Sequence, residues 1–267
     1  MKDQYSKNYY RAREAQERLG IDKNRFNYLV RVGKVKKFVP PGHSQGLYLK
    51  SEVDRLAREM LAFVAYDETQ GVQFMKATID KDFREEHELA TLLFGNAVHS
   101  MEVRRVWLKQ NPNIDFIVRE HGRLVGFINL LPAKHGAIMQ FMNGEIRGWD
   151  IKADDVLPFT SGSTMECIIM GMATTPDVDI VRRTQYGARL ISGLIEFLIK
   201  QAQQSIIITK FYATSATPTG ISILRNAGFK ELNHIGKRIA FELEVMTSDS
   251  LLVSEYRRAI EENKTSA

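Results

Sequence analysis

Glu166-Cys167-Ile168-Ile169-Met170-Gly171-Met172-Ala173-Thr174, closed by Thr175-Pro176-Asp177 and followed by a long amphipathic run over 183–202, is the stretch that decides the fold of this chain. A short apolar run ended by a proline turn is a buried strand. The run after it has the length and pattern of a helix, and the isoleucine-rich residues 205–212 are the next strand. Working outward, residues 72–78 read as a strand, 80–94 and 98–110 as helices, and 115–120 with 123–131 as a hairpin turned at His121-Gly122. Residues 220–227 read as a short helix and 238–245 as a closing strand. Strands alternating with helices in this way predict an α/β (α+β) domain, one mixed sheet flanked by helices.

The charge is unevenly placed. Residues 1–70 hold 14 Lys and Arg against 9 Asp and Glu, while residues 71–267 hold 23 against 23, so the whole formal net charge of +5 lies at the amino-terminal end. A local excess of cation is the footprint expected of a phosphate-binding surface. It divides the chain into a domain at 1–70, a domain at 71–246 and a carboxy-terminal helix and tail at 247–267. The 267 residues are 44% hydrophobic and 26% charged, as in an ordinary globular protein. A single cysteine, Cys167, excludes an internal disulfide framework and fits a cytoplasmic protein. No long apolar run or apolar leader suggests a membrane, and no His, Cys and Asp cluster has metal-ligand spacing.

Within the basic end, Asp22 is placed to cap a helix that carries Phe26, Leu29 and Val30 on one side and stops at Gly33. Its other side presents Lys23, Asn24, Asn27, Tyr28 and Arg31. Asn can bridge an adenine edge, and Lys and Arg suit guanine or the phosphate backbone. Upstream, Ala12, Ala15 and Leu19 repeat at helical spacing across a three-residue turn. Downstream, Lys36 and Lys37 lie on a short basic strand, residues 40–46 with His43 turn it, residues 47–49 return, and Ser51 to Asp54 open another helix. In this order, from Tyr9 to Ala57, the chain resembles the MerR and excisionase-like winged helix-turn-helix family. The resemblance implies double-stranded DNA as a partner, contacted by Lys23, Asn24, Asn27, Tyr28, Arg31, Lys36, Lys37 and His43. One such unit makes few base contacts, so a homodimer on two half-sites is expected.

Three segments between Val72 and Val245 resemble the GNAT N-acetyltransferases. The first runs from the strand at 166–174 into Arg182-Arg183-Thr184-Gln185-Tyr186-Gly187-Ala188, similar to the family's Arg/Gln-x-x-Gly-x-Gly/Ala pyrophosphate loop. In that loop, backbone amides at a helix start hold coenzyme A phosphates. The second is 211–230, with Gly228-Phe229 after a strand and short helix. The third is the hairpin with Gly122 and Gly126. The resemblance implies acetyl-CoA or another acyl-CoA as cofactor, bound by Met172, Ala173, Thr174, Arg182, Arg183, Gln185, Tyr186, Gly187 and Ala188. Gln185 departs from the pattern at its first glycine.

Acyl transfer to an amine needs the amine deprotonated, the carbonyl polarised and the thiolate protonated. The family's tyrosine proton donor is replaced by Leu224, and Thr217 stands in place of the asparagine that begins the short helix. Tyr212 is a substitute donor, or a packing residue of its strand, and Glu166 is a candidate base, or a solvated strand end. The stretch 132–160 reads as an insertion whose Glu145, Asp150, Asp154 and Asp155 around Trp149 suit a cationic amine acceptor, or else as a solvated flap. Residues 248–262 form an amphipathic pattern suited to a dimer contact.

Three functions stay open at this point. One is a DNA-binding transcriptional regulator whose GNAT-like domain binds an acyl-CoA, with acetyl transfer to an amine. Another is an accessory excisionase-like protein with an inactive GNAT fold. The third is an acetyltransferase recruited by its helix-turn-helix module.

Overall fold

The computed structural model describes residues 5, 7–19, 21, 23–31, 33, 35–41, 44–54, 56–57, 71–95, 98–248 and 250–266. The chain divides into two compact units, Met1–Gln70 and Gly71–Ala267.

In the first unit, strand β1 (Tyr9–Arg11) leads into helices α1 (Ala12–Leu19) and α2 (Lys23–Arg31), followed by β2 (Lys37–Phe38), β3 (Leu47–Leu49) and helical residues 50–54 and 56–57 (α3). The strands form a small antiparallel sheet in the order β1-β3-β2. Ala15, Leu19, Phe26, Val35, Tyr48 and Val53 make its core, and the Phe26 and Tyr48 rings meet edge to face at 4.8 Å. Gly33 lies at φ +75°, the left-handed conformation that glycine adopts without penalty after a helix. Asp54 accepts from Arg18 at 2.5 Å and from Tyr10 at 3.2 Å, which ties α3 to α1 and β1. Asp22 and His43 lie outside the described residues.

The second unit is built on a seven-stranded sheet in the order β4-β5-β6-β7-β8-β10-β9. Its strands are β4 (Val72–Lys76), β5 (Asp115–Glu120), β6 (Arg123–Ala133), β7 (Thr164–Thr174), β8 (Ile207–Ser215), β9 (Lys230–Ile235) and β10 (Arg238–Glu244). Every neighbouring pair is antiparallel except β7 with β8. This is the mixed sheet flanked by helices that the sequence predicts. The helices are α4 (Asp80–Phe94), α5 (Met101–Gln110), α6 (His135–Met142), α7 (Ile180–Gln203), α8 (Pro218–Asn226) and α9 (Leu251–Ser266).

Alternation along each strand sends side chains to two layers. Val118, Ile128, Leu130, Cys167, Phe211 and Phe241 pack in one core with Leu190, Leu194 and Leu198 of α7 and Val253, Tyr256 and Ile260 of α9. On the other face, Leu131, Ile168, Tyr212 and Ala240 pack with Trp107 of α5 and Ile138, Phe141 and Met142 of α6. Ile117 and Phe127 meet Leu89 and Ala90 of α4. Helix α7 approaches β4 closely enough that a Cβ on Gly193 would stand 2.1 Å from the Phe74 ring.

Two expectations are corrected here. The stretch 132–160 is no flap, because α6, Ile151 and Val156 are core residues of the second layer and Trp107 donates from Nε1 to the Ile151 carbonyl at 3.0 Å. Two of its carboxylates are already engaged: Asp150 accepts from the Arg147 amide at 2.8 Å, and Asp155 lies 3.5 Å from the Lys134 ammonium. The apolar side of α9 faces its own chain along α7, and Tyr256 is fixed by accepting from the Ile208 amide at 2.7 Å. That face is therefore closed to a second copy. Among the described residues no helix is long and apolar enough to cross a membrane.

Candidate active site

Strands β7 and β8 run in parallel only from Thr164↔Ile207 to Ile169↔Ala213. Beyond that point they part: β7 stays paired with β6 as far as Thr174↔Gly126, and β8 with β10 as far as Ser215↔Ile239. The result is a wedge whose β7 side is the edge of residues 170–174. A strand edge without a neighbour offers amide and carbonyl groups that need partners. Where the wedge opens, β7 carries one residue too many against β6: Asn129 pairs with Gly171 and Leu130 with Ile169, leaving Met170 as a bulge. An extra residue breaks the alternation of faces. Met170 and Gly171 consequently both face the α4 and α5 side, where they line a pocket.

That pocket is partly open to solvent. Phe94, Val98, Trp107 and Phe127 supply apolar walls, and Glu86, Arg104, Asp115 and Asn129 its buried end. These four close a ring. Arg104 donates from Nη2 to Glu86 Oε2 and to Asp115 Oδ2, both at 2.7 Å. Asn129 donates from Nδ2 to Glu86 Oε1 at 2.7 Å and to Asp115 Oδ1 at 2.8 Å. Two acids share one guanidinium, so the ring carries a net negative charge unless it holds a proton. Burial, and secondarily the charge of Asp115, push the Glu86 carboxyl up to about 7 against the pull of Arg104 and Asn129.

Beside the ring, burial and then the Arg104 charge lower His99 to about 4, so its imidazole is neutral. Among the described residues none is a hydrogen-bond partner of the buried His99 Nδ1. Its ring stands edge-on to Trp107 at 5.0 Å and to Trp149 at 6.2 Å. Gly148 presses against it so closely that a Cβ would stand 2.5 Å from the imidazole and 2.8 Å from the Met170 methyl. The segment after β6 thus packs behind two of the pocket's lining residues, His99 and Met170.

The residues expected from sequence are distributed differently. Glu166 lies on β7 four residues before the bulge, about 13 Å along the strand, and it does not line the pocket. It receives His135 of α6, with Nδ1 at 2.7 Å from Oε2. Tyr212 is buried next to Ile168, two residues from the parting of the strands; burial and then the Glu166 charge raise its hydroxyl to about 12, so it holds its proton. Leu224 packs against the core shared with α7 and offers no acid. Cys167 is buried with its thiol pushed well above the usual range, and is inert.

The pyrophosphate loop is corrected in conformation. Helix α7 starts at Ile180, capped by the Asp179 side chain, which accepts from the Arg182 amide at 2.9 Å. Residues 182–188 therefore form its first two turns, and the amides of Gln185, Tyr186, Gly187 and Ala188 bond within the helix instead of lining a cradle. Tyr186 is wholly buried, its hydroxyl 2.5 Å from Glu120. Arg182 pairs with the same carboxylate and donates to Gln185 at 2.8 Å. Arg183 is exposed, and Gly187 has open space around it.

Two parts of this region therefore offer different surroundings. The β7 edge offers backbone groups to an extended, amide-bearing molecule. The start of α7 carries Asp179, which already answers the positive end of the helix, and phosphates there would face it. Arg183, in the first turn of that helix, is exposed.

In the first unit the outward row is in place. Lys23, Asn24, Asn27, Tyr28 and Arg31 are exposed on α2 while Phe26 is buried, and Arg31 lies over the Tyr28 ring at 5.5 Å. Lys36 and Lys37 are exposed at the hairpin, Lys36 3.9 Å from Glu52.

No family model matches the chain, and no curated protein matches it in sequence. Solved structures do match it in fold. FeeM, an N-acyl amino acid synthase from uncultured soil microbes, is 12% identical, with 73% of this chain and 97% of that one covered and a TM-score of 0.46. Ard1 of Thermoplasma volcanium is 13% identical, covering 65% and 97% at a TM-score of 0.43. The PaiA N-acetyltransferase of Thermoplasma acidophilum, solved in complex with coenzyme A, is 13% identical, covering 65% and 99% at a TM-score of 0.40.

Proposed function

We propose that residues 71–267 form an N-acyltransferase domain that receives an acyl thioester of coenzyme A, acetyl-CoA in the simplest case, and passes the acyl group to an amine. The observation that carries this reading is the parting of β7 and β8 after Ile169↔Ala213. It opens an unpaired strand edge, at Met172, Ala173 and Thr174, directly beside a pocket with an acid–base ring. The arm of the coenzyme lies along that edge, its amides completing the strand's hydrogen bonds, and Arg183 answers its phosphates. When bound, the thioester supplies an activated acyl group and a thiolate leaving group. Tyr212, protonated and buried next to the parting, is the chain's proton donor for that sulfur.

Calorimetry with acetyl-CoA tests this directly. Heat of binding in the micromolar range is expected, and Asp179→Ser, which keeps a capping hydroxyl but removes the charge, should tighten binding severalfold, a few tenths to about 1 kcal/mol. Absence of heat at high micromolar acetyl-CoA, with no thiol released in the presence of an amine panel, would sink the reading.

The first unit is, in the same proposal, a double-stranded DNA-binding module that makes the chain a regulator. Its support is the exposed row on α2 together with the confinement of the chain's net charge to residues 1–70. Two half-sites require two copies, and since α9 is closed their contact uses another surface. Arg31→Ala and Asn27→Ala should each cost about 1–3 kcal/mol per lost base contact, whereas Lys36→Ala and Lys37→Ala should weaken all sequences evenly and flatten the salt dependence. Selection from a random DNA pool checks it; no enrichment, or equal binding by the Arg31 variant, overturns the module.

A further inference from the structure

We propose that the pocket between α4, α5 and the bulge of β7 seats the acyl acceptor, a primary amine carried on an apolar or aromatic body, and that the Glu86 carboxylate takes the proton its ammonium must lose. The inference rests on the thioester reading above and names the acceptor of that same site.

Position comes first. Met170 and Gly171 are the first residues of β7 past its last pair with β8 and also line the pocket, so a molecule in the pocket lies alongside the wedge. Shape and polarity come next. Apart from the ring, the walls offered by Phe94, Trp107 and Phe127 are aromatic, suited to an apolar body and to the attraction of a cation to ring faces.

Charge then decides what the polar end must be. Among the described residues, the polar groups that bond to Glu86 or share its pocket are Arg104 from α5, Asp115 from β5, Asn129 from β6 and, before α5, the neutral His99. Two carboxylates against one guanidinium leave room for one more positive charge and no room for another anion. Each carboxylate oxygen accepts a single bond in the ring, so a second lone pair on each is left for the donors of an ammonium. A hydroxyl or a carboxylic acid at the same place fails to balance the charge.

The step balances as follows. The ammonium gives one proton to the Glu86 carboxylate and becomes an amine. Its lone pair forms the C–N bond to the acyl carbon while the C–S bond breaks. Sulfur leaves with the bonding pair and takes up a proton from Tyr212, which is restored by the second proton of the nitrogen. Amide and thiol result, and the proton left on Glu86 passes to solvent.

Binding without any thioester tests the assignment. Benzylamine and benzyl alcohol, alike in body and different in charge, are titrated calorimetrically into the full chain. Benzylamine should bind at least about tenfold more tightly, because its ammonium makes charge-assisted hydrogen bonds to the carboxylates that the alcohol cannot. Glu86→Gln should erase that difference and leave the alcohol's affinity unchanged. Equal binding of the two ligands by the wild type overturns the proposal, and that comparison decides by itself if circular dichroism shows the variant unfolded. A folded Glu86→Gln that keeps the amine preference overturns it too. A chain that binds acetyl-CoA but does not distinguish amine from alcohol loses the acceptor site and keeps the thioester reading; the reverse keeps the amine site and removes the thioester reading.

Discussion

Two carboxylates face the same side of the sheet near β7, and they are placed under different rules. Glu166 lies on the strand itself, half-buried, with an exposed histidine from α6 as its partner. Glu86 comes from α4, is fully buried, and shares one guanidinium and one amide with a second carboxylate at the bulge. Solvent screens the first pair. In the second, burial first and the neighbouring charges after it decide whether the acid is ionised, and a proton can be stored at neutral pH. The comparison teaches that a strand carboxylate near a cofactor cleft is not for that reason its base: the one that answers to the reacting amine is the one whose charge the pocket controls.

The largest expected effect breaks the comparison if it fails. Glu86→Gln removes a proton acceptor from the reacting end, and general-base help is typically worth about 10²- to 10⁴-fold in rate. Glu166→Gln, removed from the pocket, should lower the rate by less than about tenfold. Initial rates of thiol release with acetyl-CoA and benzylamine, measured side by side, decide; the opposite order of the two losses would return the base to Glu166.

A smaller effect lies in the pH dependence of stability. The folded Glu86 carboxyl keeps its proton up to about 7, whereas the unfolded one gives it up near 4.5. Between those values the native state binds more protons, so this group makes stability fall as pH rises. Glu86→Gln removes that slope, and the difference in Tm between variant and wild type should move in the variant's favour from pH 4.5 to 7. A constant difference would mean that the ring holds no extra proton.

His99 sharpens the comparison with an effect of similar size and the opposite sign. Its folded value of about 4 lies below the unfolded 6.5. In that window the unfolded chain binds more protons, so stability rises with pH and is lost as pH falls towards 4. His99→Gln should flatten this slope, and thermal melts from pH 4 to 6.5 would reveal it; a variant as acid-sensitive as the wild type contradicts a buried, neutral imidazole.

Much of the fold was legible in the sequence because it depends on local periodicity. Helix α4 has the bounds that its pattern predicts, and the hairpin turns at His121 and Gly122, both at positive φ. Strand β9 escaped because it is a polar edge strand, Lys230–Ile235, with no apolar alternation to reveal it. Helix α6 was hidden in a stretch read by its charges, although Ala137, Ile138, Phe141 and Met142 are its buried face. The amphipathic pattern places the start of α7 at Arg183, three residues late, because Ile180 and Val181 lie exposed outside the apolar stripe, while Asp179 caps the helix at Ile180.

The acid–base ring was not read at all, since its members are 11 to 43 residues apart and meet only when four elements assemble. Signals were nevertheless present. Glu86 stands on the same helical stripe as Leu89 and Ala90, Arg104 on the stripe of Trp107, and Asn129 interrupts the apolar run of β6. A charged or amide side chain at a core position needs partners that are themselves buried.

The titration of Glu86 itself tests the central claim most directly. With glutamate labelled at the side-chain carboxyl carbon and Glu86 assigned by its absence in Glu86→Gln, the account predicts a carbon-13 shift that moves with a midpoint near pH 7, and that falls to lower pH when benzylamine is bound. A midpoint at the ordinary carboxylate value near 4.5, unmoved by the amine, would contradict it.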